Sequence, residues 1–187
     1  TARIAPSTSA SAQGLAARTV PNRDGLYLQG GAWFVGNANS HPWFRAEVGI
    51  HLARLTRADL YLQIPVMITH AGYNAPGYDY GWTGFALVPG VKGEWTLFNR
   101  KGDLSVTLEG GLGIYMYAWN YGAGCGGGPG CNGHSDIWLI SRVAAGVTYT
   151  APFGLMVSLT PFGGGGVWGS GGSGYYDGSL LIGYRWQ

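Results

Sequence analysis

The sequence predicts an all-β fold: an eight-stranded antiparallel up-and-down transmembrane β-barrel with an N-terminal extension. Three observations lead there. From about residue 25 onward, apolar and polar residues alternate with period two in segments bounded by turn residues. These segments run to about 11–16 residues, where strands of ordinary globular proteins cluster near five or six. Charge is scarce: the 187 residues are 46% hydrophobic and 11% charged, and Lys92 and Lys101 are the only lysines. Ordinary soluble domains carry about 25% charged residues.

The extension, residues 1–24, is rich in Ser, Ala, Thr and Pro. Arg3, Arg18 and Arg23 are its only charges before Asp24, and Ile4, Leu15 and Val20 stand as isolated apolar anchors. Such a segment buries too little surface to order itself. Its opening stretch, TARIAPSTSASAQ, has no apolar signal core, so an exported chain is expected to have lost its signal already. Residues 25–187 form the barrel.

Eight segments follow in order. The first is Gly25–Val35. The second, Trp43–Leu55, sets Phe44, Ala46, Val48, Ile50 and Leu52 against Arg45, Glu47, Gly49 and His51. In the third, Asp59–Thr69, Leu60, Leu62, Ile64, Val66 and Ile68 oppose Asp59, Tyr61, Gln63 and Met67. The fourth, Thr83–Phe98, has Phe85, Leu87, Val91, Trp95 and Leu97 against Ala86, Gly90, Lys92, Glu94 and Thr96. The fifth, Asp103–Trp119, opposes Leu104, Val106, Leu108, Leu112, Ile114 and Met116 to Ser105, Thr107, Glu109, Gly111 and Tyr115. Ile137–Tyr149 pairs an apolar face from Ile137 to Val147 with Arg142, Ala144, Gly146 and Thr148. Phe153–Phe162 is the seventh, and the eighth runs from about Tyr175 to the end.

A soluble barrel produces the same alternation with its apolar face inside. Here the polar face is built of Gly, Ala, Ser and Thr and almost lacks Lys, which suits a narrow lumen and not a hydrated exterior. A 13-residue strand at about 3.3 Å per residue and a tilt near 45° climbs about 30 Å, enough to cross hydrocarbon. The connections also alternate: 56–58, 99–102 and 150–152 are short, while 36–42, 70–82, 120–136 and 163–174 are long. Aromatics gather at strand ends and read as interfacial girdles. Trp43, Trp82, Phe85, Trp119, Trp138 and Tyr176 lie by the long loops; Trp95, Phe98, Tyr149, Phe153, Tyr184 and Trp186 lie by the short turns.

The last strand, LLIGYRWQ, carries Leu180, Ile182, Tyr184 and Trp186 on one face, with Gln187 after the final aromatic. This resembles the closing signal of outer-membrane barrels, and the segment pattern from residue 25 resembles small eight-stranded barrels of the OmpA/OmpX type. The resemblance implies a bacterial outer-membrane location and assembly by the barrel-assembly machinery, which reads that strand in the family. An even number of strands is expected to leave both termini on the periplasmic side.

Eight strands enclose a lumen just wide enough for side chains. Arg45, Glu47, His51, Gln63, Lys92, Glu94, Glu109 and Arg142 are expected inside it, where unpaired charges cost several kcal/mol. A structural charge network that plugs the barrel is the main reading. A gated ion path and a catalytic Glu47–His51 pair are its rivals. In the third long loop, Cys125 and Cys131 flank a Gly/Pro spacer and read as a disulfide; adding His134 and Asp136 makes a conceivable metal cluster whose spacing fits no common zinc pattern. Tyr73, Tyr78, Tyr80, Trp82, Tyr117, Trp119 and Tyr121 suit stacking on sugars or a protein, against a plainer role as girdle and loop packing.

The net charge of +2 points to no nucleic-acid partner, and no cofactor or resident metal is expected. The expected partners are membrane lipid, the assembly machinery and an envelope protein held through the tail residues Arg3, Ile4, Leu15, Arg18 and Val20. A tail folded into the lumen against Glu47, Glu94 or Glu109 is the rival arrangement. The expected function is a non-enzymatic barrel with structural or partner-binding work. A rim enzyme acting on lipid through His134, Ser135 and Asp136 is the remaining alternative.

Overall fold

A computed structural model describes residues 25–36, 42–56, 58–75, 78–98, 102–121, 134–169 and 172–186. The strands are β1 (Leu26–Gly36), β2 (Pro42–Arg54), β3 (Ala58–Ala75), β4 (Tyr78–Leu87), β5 (Gly90–Phe98), β6 (Asp103–Tyr121), β7 (His134–Thr150), β8 (Leu155–Trp168) and β9 (Ser173–Arg185). All pairings are antiparallel, and β1 pairs with β9 from Tyr27↔Arg185 to Gly36↔Tyr176, so the sheet closes on itself. Closure leaves the described wall without an edge strand.

The ring has eight wall positions because β4 and β5 share one. They are the two halves of the predicted fourth strand, broken at Val88-Pro89. β3 pairs with β5 over its lower half and with β4 over its upper half, and β6 does the same on the other side. Proline has no N–H to donate, yet the break stays bonded: Val88 N–H donates to the Pro65 carbonyl and Leu112 N–H to the Pro89 carbonyl, both at 3.2 Å.

Alternation places the two faces as expected. Leu28, Phe44, Ile50, Ile68, Leu108, Leu112, Val143, Leu159 and Ile182 are exposed around the outside, while Arg45, Lys92, Glu94 and Arg185 are buried within. A soluble protein does not leave so large an apolar surface uncovered; a bilayer covers it. Outward aromatics ring the short-turn end: Trp95, Phe98, Tyr149, Phe153, Tyr184 and Trp186. At the turn between β7 and β8, Gly154 has φ of +94°, which a side chain would strain.

Two expectations are corrected. Residues 70–82 and 163–174 are mostly strand and not long loops: β3 runs to Ala75 and β4 starts at Tyr78, while β8 runs to Trp168 and β9 starts at Ser173. In β8 the register shifts between Thr160 and Gly163, opposite a shift between Ala145 and Val147 in β7. This bulge at Pro161 reverses which residues face inward, so Met156, Ser158 and Thr160 are buried below it, while Val167 packs into the core above it. A strict period-two reading therefore ends at Phe162.

The second correction concerns the outer girdle. Trp43, Trp82, Trp119 and Trp138 share parity with inward residues and face the lumen. Among the described residues, Phe34, Phe44, Trp168 and Tyr176 are the exposed outward aromatics of that end.

Candidate functional site

The lumen divides into layers, each set by strand parity. Nearest the long-connection end lies an aromatic plug. Trp33 and Trp43 are buried with Met67, Ala86, Val88, Ile140 and Tyr175, and Val35, Trp82, Tyr115 and Val167 pack against them. The rings touch in sequence: Trp33–Tyr175 at 6.3 Å, Trp33–Trp43 at 5.1 Å, Trp43–Trp82 and Trp43–Tyr115 at 6.0 Å, and Tyr117–Trp138 at 5.0 Å. Most meet edge-on or tilted, the geometries ring quadrupoles favour.

Below the plug sits the first charge cluster. Arg45 pairs with Glu47 and with Glu109, the latter at 2.9 Å, and also donates to Ser179 Oγ. Arg142 reaches Glu109 and grips both oxygens of Asp177 at 2.8 and 2.9 Å. Glu47 further accepts from Tyr27 OH at 2.7 Å and Gln29 Nε2 at 2.9 Å, and Ser158 Oγ links Gln29 onward to Thr148.

The second cluster centres on Glu94, which takes Arg185 Nη2 on both oxygens, at 2.9 and 2.8 Å, and Lys92 Nζ at 3.3 Å. Lys92 also lies 4.9 Å from the Tyr27 ring centre, and Arg185 lies 5.1 Å from that of Tyr61. Arg45, Lys92 and Glu94 are at most 1% exposed. The first cluster has two cations and three carboxylates and the second two cations and one carboxylate, so the two together neutralise each other, which makes burial of so much charge tolerable.

Among the expected lumen residues, Arg45, Glu47, Glu109 and Arg142 share one cluster and Lys92 and Glu94 the other. His51 joins neither. It sits toward the short-turn end, 3.4 Å from Asp59 and edge-on to Tyr61 at 5.3 Å, and Arg54 bonds the same Asp59 oxygen. The structure thus does not bring Glu47 and His51 together as a catalytic pair. The lumen set expected from sequence does not include Asp177, Tyr27 or Arg185. All three share parity with the inward residues of their strands, so the signal was present.

At the outer mouth, His134 Nε2 and Tyr117 OH both lie 2.8 Å from Asp136 Oδ2. These groups stand about 14 residues above the lower turns, clear of an apolar band about 25 Å tall. The Tyr117 hydroxyl, then His134, hold the Asp136 carboxyl below its usual range. Ser135 lies on the opposite face of the pleat from His134 and Asp136, so the consecutive trio is not one constellation. Among the described residues, no three His, Cys, Asp or Glu side chains converge as metal ligands. Cys125 and Cys131 lie outside the described residues, as do Arg3, Ile4, Leu15, Arg18 and Val20 and the side chains of Tyr73, Tyr78, Tyr80 and Tyr121.

No family model matches the chain, and no curated protein matches it. Solved structures do. The chain is similar to Ail, the attachment invasion locus protein of Yersinia pestis, with a TM-score of 0.53 at 10% identity over 87% of this chain and 97% of that one. It is also similar to the N-terminal β-barrel domain of Pseudomonas aeruginosa OprF, with a TM-score of 0.51 at 13% identity, covering 88% and 98%. The outer membrane enzyme PagL is among the matches at a TM-score of 0.48 and 13% identity. At such identities the likeness is one of fold. That fold is the small eight-stranded outer-membrane barrel, and the apolar outer face of this chain matches it.

Proposed function

We propose that this chain is a non-conducting, non-enzymatic outer-membrane barrel that anchors an envelope partner through residues 1–24. The sealed lumen is the observation that carries this reading. Two charge clusters, together four cations and four carboxylates, and an aromatic plug occupy the described interior with their central side chains buried, which weighs against a path for a permeating ion or a substrate. The opposed faces of Ser135 and of His134 with Asp136 weigh against a rim enzyme.

With the lumen filled by the barrel's own side chains, little room remains for the extension to fold against Glu47, Glu94 or Glu109. Arg3, Arg18 and the apolar anchors Ile4, Leu15 and Val20 then suit a mixed acidic and apolar groove on a periplasmic protein. The outward face of Leu180, Ile182, Tyr184 and Trp186 suits the assembly machinery.

The test places a photo-crosslinking residue at Leu15 in cells and, separately, deletes residues 1–20. The expected result is one discrete protein adduct from Leu15, and a deletion variant still inserted and heat-modifiable but without that partner. Adducts to the barrel itself, or a deletion that abolishes folding, would make the extension a plug and refute the anchor.

A further inference from the structure

The bulge in β8 does more than reverse parity. Pro161 offers no N–H, and β8 supplies Pro161 and Phe162 where β9 supplies only Gly178 between Ser179 and Asp177. On the other side the β7 pairing jumps from Ala145↔Phe162 to Val147↔Leu159. The interrupted ladder leaves a recess of about 360 Å³ in the wall. Its outer rim is Leu108, Val143, Phe162 and Tyr176, and its floor includes Gly163 and Asp177.

The rim faces lipid. Val143 is 62% exposed, Phe162 76% and Tyr176 80%. Phe162 lies seven residues beyond Leu155, the first residue of β8. At about 3.3 Å per residue and a tilt near 45° it stands on the order of 16 Å up, inside an apolar band about 25 Å tall. The floor is closed, because Arg142 holds Asp177 on both oxygens and a Cβ on Gly163 would meet Asp177 Oδ1 at 2.0 Å. The recess is therefore a dead end opening sideways into hydrocarbon. Water does not reach this depth on the lipid side, and an empty recess would forfeit dispersion contacts all along its lining.

We propose that this recess is a binding site for the end of one phospholipid acyl chain, held against the β7–β8 wall longer than the lipids around the rest of the barrel. The recess is continuous with the lipid interface that the whole outer face makes, and hydrocarbon is the only chemistry that interface supplies at this depth.

The experiment uses the full chain in phospholipid bilayers doped with a phosphatidylethanolamine carrying a diazirine at the acyl terminus. After illumination, peptides of β7 and β8 should carry severalfold more label than lipid-facing peptides of β2 and β3. Ala145→Phe, which places a ring in the recess, should reduce that excess to the level of the other strands. Ile68→Phe on the far wall should leave it unchanged. If Ala145→Phe fails to give a heat-modifiable barrel, Val143→Phe serves the same purpose from the rim. Uniform labelling around the wild-type wall would overturn the proposal, as would an excess that survives a folded recess-filling variant. Protection of β7 and β8 by a second copy packed along this wall would overturn it too.

Discussion

Replacing Glu94 with Gln removes the one carboxylate of the second lumen cluster. Glu94 meets Arg185 on both oxygens at 2.9 and 2.8 Å and Lys92 at 3.3 Å, and all three side chains are at most 1% exposed. Glutamine keeps the shape and one acceptor but loses the charge, leaving two cations facing each other at the level of Tyr27 and Tyr61. Their ring contacts exist in the parent too, so they offer no new compensation. Breaking a buried pair from one side costs about 3–5 kcal/mol. With an m-value near 2 kcal/mol per molar, that is a drop of about 2 M in the urea midpoint. The assay is reversible urea unfolding in phospholipid vesicles, followed by tryptophan emission and by gel mobility. Adding Lys92→Met to Glu94→Gln removes one of the two stranded cations and should recover part of the loss. A Glu94→Gln barrel within about 1 kcal/mol of the parent would refute the claim that this carboxylate holds the cluster together.

Val48→Arg puts a cation on the lipid face of β2, at a cost of about 2–4 kcal/mol near the midplane; insertion assays in cells should show it failing to assemble, and normal assembly would contradict the assignment of faces. Gly49→Ala is expected to be harsh despite its small size. Its Cβ would lie 1.9 Å from the Tyr27 ring, which Glu47 holds by a hydrogen bond, so overpacking of about 1–3 kcal/mol should appear in the same urea titration. Cys125 and Cys131 should resist thiol alkylation in unreduced protein, and reduction should leave the barrel's gel mobility unchanged, since a loop this short gains about 2–3 kcal/mol locally. Two free thiols, or stoichiometric bound metal, would contradict that.

Period two made most of the wall legible from sequence. Arg45 and Glu47 in β2, Lys92 and Glu94 in β5, Glu109 in β6 and Arg142 in β7 all fall on the small-residue face, and the structure buries each of them. The tryptophans were misread because position along a strand was allowed to outweigh parity. Trp43 is two residues from Arg45 and must share its face, whatever its height in the membrane. The top of β8 was illegible for a different reason. Pro161 reverses parity and the glycines 163–166 carry no side chains to reveal the new phase, so strand read as loop. Which cation meets which carboxylate was also beyond the sequence. Arg45 and Glu109 are 64 residues apart and meet only because strand tilt and stagger bring β2 and β6 to one level across the lumen.

The sealed lumen is the central claim, and single-barrel current recording in planar phospholipid bilayers tests it most directly. The full-length barrel should insert, as shown by recovery of heat-modifiable protein from the bilayer lipid, and pass no current steps above the bare membrane across the physiological range of salt and voltage. Reproducible unitary steps from the folded chain, abolished when the protein is unfolded beforehand, would mean that ions pass between the Glu94 and Glu109 clusters and the tryptophan plug, and the account of a closed anchor would fail.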